Sequence, residues 1–130
     1  HQDIREENGI RYGDVIEHVN FEYAKKLTAV NAINLASLAW APPAPKQVAI
    51  GGIVQPSAKF KWNKVDGAIG YKIYWRDTTS PTWDYSKYVG DISEYILDGI
   101  VIDNYFFGIS SVGENGYESI VTFPNSVFQD

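Results

Sequence analysis

The chain has 130 residues and a formal charge of -5, with 15% aromatic residues and no cysteine. That length holds one domain of ordinary size plus an appendage. Cysteine's absence excludes a disulfide framework, a thiolate zinc site and a thiol nucleophile. No run of Lys and Arg supplies the footprint that dominates nucleic-acid affinity, so nucleic acid is not expected as a partner.

The chain starts at His1 with neither an initiating Met nor the regions of a signal peptide, so its first residue reads as a boundary within a longer protein. His1 to His18 is polar, shows no sustained period, and carries Gly9 and Gly13 as turn residues; it reads as a loop. Asn20 then offers an N-cap, Glu22 sits in the first turn, and residues of good helix propensity follow. The expectation is a helix from Phe21 to Trp40, stopped by Pro42, Pro43 and Pro45.

Leu27 to Pro45 is uncharged, but Asn31, Asn34, Ser37, Pro42 and Pro43 interrupt it, so no membrane span is expected. Beyond Lys26 the helix is apolar over most of its circumference and needs neighbours on several sides. Leaving its large side chains in water forgoes roughly 1.5 to 3 kcal/mol each. The cover is expected from a missing domain of the same chain; the alternatives are an open sheet face or a homodimer through the helix.

From Lys46 the pattern changes to alternation punctuated by turn signals, which sets a domain boundary near Ala41. Strands are expected at 47–54, 58–63, 70–76, 85–89, 94–97, 104–112 and 117–123. Seven short strands suit two packed sheets, an all-β sandwich. Tyr71, Ile73 and Trp75 share one strand face and Lys72, Tyr74 and Arg76 the other. The expected core is Trp62, Tyr71, Ile73, Trp75, Tyr105, Phe107 and Ile109.

Phe60-Lys61-Trp62, Tyr71-Lys72-Ile73-Tyr74 and Tyr105 ahead of Gly108 and Gly113 together resemble a fibronectin type III domain. The resemblance implies a mainly β fold, a seven-stranded fibronectin type III/immunoglobulin-like sandwich over 42–130, preceded by a loop and one α-helix over 1–41. It also implies a buried Trp62 between the sheets, and a Tyr105 whose ring is buried while its hydroxyl bonds to backbone.

Tyr12-Gly13-Asp14, Val19-Asn20-Phe21-Glu22-Tyr23 and the Ala-, Asn- and Leu-rich helix running into Ala41-Pro42-Pro43-Ala44-Pro45 resemble the end of the catalytic domain in bacterial zinc-dependent aminopeptidases, the family of aminopeptidase Y. This implies a parent, secreted, periplasmic or in the cell envelope, that trims peptides with two zinc ions and a Glu base. In that family a His-x-x-x-Asp stretch supplies the last ligand shortly before the closing helix. Placing Asp3 on its Asp sets the His two residues upstream of His1, so the register argues against His1 as a ligand. The other ligands lie outside the chain, which is expected to be catalytically silent and to hold no cofactor. His18 reads as a loop histidine.

No Gly-x-Ser-x-Gly elbow, P-loop, dinucleotide fingerprint or EF-hand loop is present. One stretch invites a binding role: Trp83, Tyr85 and Tyr88 lie among Ser, Thr, Pro and Asp. Flat aromatic faces there suit stacking on sugars or anchoring a protein. Equally, Trp83 folds back over a sheet edge or docks on the missing domain. Two functions follow: an accessory tail of a zinc exopeptidase, or an independent adhesion or carbohydrate-binding module.

Overall fold

A computed structural model describes residues 3–53 and 55–128 and divides them into two compact units, one ending at Ala36 and the other beginning at Ser37. The first unit opens with a hairpin where the sequence reads as a loop. Strands β1 (Arg5–Glu7) and β2 (Ile10–Tyr12) pair antiparallel across Asn8-Gly9. Both turn residues have positive φ, 55° and 76°, as a two-residue primed turn needs. Asn-Gly is itself the sequence signal for this hairpin. Each strand is only three residues long and the first, Arg5-Glu6-Glu7, is wholly charged, which hides the pair. Arg5 bridges to Glu7 at 3.0 Å, and Arg11 to Glu17 at 3.1 Å.

Helix α1 runs Phe21–Trp40, as the capping and propensity pattern requires. Asn20 Oδ1 accepts the Tyr23 N–H at 3.0 Å and satisfies one of the orphan donors of the first turn. Ala41 N donates to Ser37 O at 3.2 Å, and the prolines end the helix. None of its residues is buried. Its last turn belongs with the second unit, which therefore starts ahead of the expected boundary at Pro42. The physical reason is local: the Trp40 ring lies 5.3 Å from that of Tyr117, and Ser111 Oγ donates to Pro43 O at 2.7 Å.

Two sheets make the second unit. One orders β7 (Glu94–Asp98), β4 (Ser57–Asn63), β3 (Lys46–Gly51) and β9 (Ser126–Val127); the other orders β6 (Tyr85–Gly90), β5 (Gly70–Asp77) and β8 (Tyr105–Val112). Strand β3 ends at Gly51, ahead of the expected end, because Gly52 turns the chain with φ of 100°. A side chain on Gly52 would fall 2.2 Å from Ser57 O, so only glycine fits.

The last expected strand, 117–123, is not continuous. It touches β8 through two isolated bridges, Val112 with Glu118 and Ile109 with Thr122. Between them Ser119 Oγ accepts the Ser111 N–H at 3.1 Å, so a side chain replaces part of the ladder. After Pro124 the chain crosses to the other sheet and pairs as β9 in parallel with β3.

The core lies where β4 faces β5 and β8. Trp62, 4% exposed, packs its ring 5.4 Å from that of Tyr71, and Phe60 meets Phe107 at 5.2 Å. Val48, Ala58, Ile73, Leu97 and Ile109 complete the cluster. Two aromatic expectations need correction. Tyr105 is half-buried and sits edge-on to Phe107 at 6.2 Å; the hydroxyl that bonds to backbone is that of Tyr71, which accepts the Val65 N–H at 2.8 Å. Trp75 faces inward but lies near the end of β5, so it is half-buried and stacks on Tyr85 at 5.5 Å.

Among the described residues Trp62 Nε1 has no hydrogen-bond partner, so the residue stabilises through its ring and not its N–H. Replacing Trp62 with Ala should lower unfolding free energy in urea by about 3 to 5 kcal/mol. Trp62→Phe should cost clearly less, because it keeps an aromatic ring against Tyr71 and strands no acceptor. Equal losses from both substitutions would contradict this account.

Candidate functional site: the outer face of the three-stranded sheet

Alternation along β5 turns Lys72, Tyr74 and Arg76 away from the core. Across the sheet, Lys72 stands opposite Ser110, Tyr74 opposite Gly108 and Arg76 opposite Phe106. Gly108 leaves a hollow that other side chains fill: a Cβ there would lie 3.2 Å from the Trp83 ring and closer still to Val121.

Trp83 therefore lies back over the sheet. Its ring is 5.7 Å from Tyr74 and 5.4 Å from Phe123, with the Arg76 guanidinium 5.7 Å from its centre. Arg76 also sits 4.8 Å over Phe106 and donates to Ser80 O. The loop that carries Trp83 is tied by Asp84, which accepts the Asp77 N–H at 2.9 Å and the Ser80 hydroxyl at 2.7 Å. Those two bonds, the Ser80 one foremost, hold the Asp84 carboxyl below its ordinary pKa.

Beside Trp83 a half-buried polar cluster forms around Glu118. Lys72 Nζ stands 3.0 Å from Glu118 Oε1, while the Tyr74 hydroxyl and Ser110 Oγ donate to Oε2, the latter at 3.2 Å. Burial pushes the Glu118 carboxyl up, but the bonds from Tyr74 and Lys72 outweigh it and leave the pKa lowered. The bond to Glu118 raises Lys72, and burial followed by the same carboxylate raises Tyr74.

The aromatic residues singled out in the sequence do not make one row. Tyr85 pairs with Trp75 on the inward side, whereas Tyr88 pairs with Lys72 on the outer side. Tyr88 lies across Gly70 and donates to Ile69 O at 3.3 Å. Trp83 covers Tyr74 and the Arg76 end of the same strand, two to four residues beyond Lys72 and so about 7 to 13 Å along it. Tyr85 and Tyr88 are each 53% exposed, but on opposite faces.

On the other sheet, a groove of about 400 Å³ is lined by Lys59, Lys61, Glu94, Ile96 and Phe128, with Lys61 Nζ 4.7 Å over the Phe128 ring. Sequence reasoning missed the Glu118 cluster. Alternation placed Lys72 and Tyr74 outward, but nothing local pointed to an acceptor more than forty residues away.

Among the described residues no group of three or more His, Asp and Glu side chains converges as a metal site. His18 is exposed at the end of a 3-10 turn, and the His1 expectation falls outside the described residues.

Solved structures share this architecture. An Fn3-like protein from Clostridium thermocellum superposes with a TM-score of 0.52 at 19% identity, covering 69% of this chain and 97% of that one. The sandwich is of the fibronectin type III kind. A structure described as a myokine agrees, with a TM-score of 0.51 at 17% identity over 62% of this chain and 89% of its own.

No family model matches the chain. In sequence it is 41% identical over 128 residues to a probable zinc metalloprotease of Pyrenophora tritici-repentis, a match covering 95% of this chain and 26% of the relative. A probable zinc metalloprotease of Pyricularia oryzae is 36% identical over 131 residues, with the same coverage. The chain thus spans about a quarter of the length of these curated relatives. They are fungal, so the bacterial setting of the expected family finds no support among them.

Two outcomes test the face. Glu118→Gln should destabilise by about 1 kcal/mol at neutral pH, after allowance for solvent screening. The folded carboxyl lies below its ordinary 4.5, so its contribution is complete above that pH and is lost as pH falls through the lowered value. Urea midpoints of the two proteins should converge in acid; a gap that persists at pH 2 contradicts the assignment. Trp83→Ala should destabilise by about 1 to 3 kcal/mol, since it uncovers Gly108, Tyr74 and Phe123. A neutral result in thermal unfolding would return Trp83 to the ligand-binding candidates.

Proposed function

We propose that this chain is the accessory end of a longer, secreted zinc-dependent exopeptidase of the aminopeptidase kind, with a sandwich that positions or stabilises the catalytic domain and takes no part in the chemistry. The observation that carries the reading is the match itself, 41% identity across 95% of this chain but 26% of a probable zinc metalloprotease. Zinc and hydrolysis then belong to parts of the polypeptide outside these residues.

A carbohydrate-binding module would call for exposed rings on one surface. Trp83 is instead engaged by Tyr74, Phe123 and Arg76, and the exposed tyrosines face opposite ways.

The test compares the full-length polypeptide from the source organism with this chain. The longer protein should contain zinc and release N-terminal residues from peptides; the 130-residue chain should do neither. Deleting the sandwich from the longer protein should lower its melting temperature or its soluble yield. A full-length product without zinc or peptidase activity would overturn the reading, as would hydrolysis by this chain alone.

A further inference from the structure

Strand β6 is outermost in the sheet that orders β6, β5 and β8, and among the described residues no strand pairs with its outer side. Its outward row of backbone donors and acceptors is a template on which another extended chain can add. The residues of β6 favour such addition. Tyr85-Ser86-Lys87-Tyr88-Val89-Gly90 is rich in strand formers, both tyrosines are half exposed, and Lys87 carries the only charge.

That charge stands where a sandwich strand ordinarily carries an apolar side chain. Lys87 pairs with Ile73, which is fully buried, so alternation turns both toward the opposite sheet. At the rim it nevertheless stays exposed, and its Nζ reaches 5.1 Å over the ring of Tyr95 on β7, the outermost strand of the other sheet. A second irregularity interrupts the same strand. Tyr71 faces Gly90 and Lys72 faces Tyr88, which leaves Val89 unmatched, as at a bulge.

Antiparallel pairing of β6 with the same strand of a second copy about a twofold axis keeps the two inward faces on one side. Over the regular stretch, 85–88, this leaves two registers: Lys87 faces its own copy, or it faces Tyr85 with the other lysine on the diagonal. Either one brings the Cβ atoms of two lysines within roughly 5 to 8 Å on the inward face. Like charges so placed repel, and the merged sheet would also strip water from them.

We infer that Lys87 guards β6: its inward charge, together with the irregularity at Val89, keeps this edge from pairing with a second copy of the chain.

Light scattering against concentration and amide hydrogen exchange test the guard. Relative to the unchanged chain at the same concentration, Lys87→Val should raise the mean mass about twofold or more and slow exchange at 85–88 about tenfold or more. Using the unchanged chain as reference keeps any association through α1 out of the comparison. Lys87→Gln, which removes the charge and retains a polar stem, should associate as well, whereas Lys87→Arg should not. Ser86→Val adds apolar surface to the outer side of the same strand and should leave the mass unchanged.

An unchanged mass for both Lys87→Val and Lys87→Gln overturns the inference. Association of Ser86→Val to the same degree does so too, because apolar surface and not the lysine would then control pairing. Association accompanied by faster exchange throughout the sandwich reports unfolding after loss of the Tyr95 contact, and it also counts against the guard. In the full-length polypeptide Lys87→Val should raise the mass in the same way. If only the 130-residue chain responds, another part of the polypeptide covers β6, and Lys87 is not its guard.

Discussion

Two sheets that share no disulfide are held together by what their facing side chains exclude from water, and here that contact centres on Trp62 of β4 against Tyr71 of β5. Such a pair adds about 0.5 to 1.5 kcal/mol beyond the area it buries. Phe60 against Phe107 repeats the contact between the same two sheets. Once β5 is fixed by Tyr71 and Ile73 facing inward, its other face is determined, and Lys72, Tyr74 and Arg76 must point out. The outer face is thus a consequence of the core.

What gathers on that face depends on chain segments distant in sequence. Glu118 arrives beside Lys72 and Tyr74 because the bridge between Val112 and Glu118 sets the register next to β8. Trp83 arrives over Gly108 because Asp84 ties its loop to Ser80 and to the backbone at Asp77. Both engage groups on that face: Glu118 pairs with Lys72, and Trp83 packs on Tyr74, Phe123 and Arg76, while Tyr88 stays exposed.

The helix stands in contrast. The sandwich buries its aromatic core within a single unit, whereas α1 buries none of its residues although from Leu27 onward it carries no charge. The physical asymmetry agrees with the lengths of the relatives, of which this chain matches about a quarter. One unit buries a core of its own, and the other carries a helix none of whose residues is buried.

Local rules were enough for the helix, because a cap, a run of good formers and three prolines act over a few residues; its bounds at Phe21 and Trp40 were legible. Period-two alternation likewise revealed six of the strands and the inward set Tyr71, Ile73, Phe107 and Ile109. The hairpin at Asn8-Gly9 was signalled by its turn but masked by strands of three residues, the first of them wholly charged. Tertiary structure alone decided the rest. It moved the backbone bond expected of Tyr105 to Tyr71, broke the last strand at Ser119 and sent its continuation to the other sheet. It also set Tyr85 and Tyr88 on opposite faces and brought Glu118 to Lys72. Each of these depends on register between segments far apart in the chain, and register is fixed by packing, about which a local pattern carries no information.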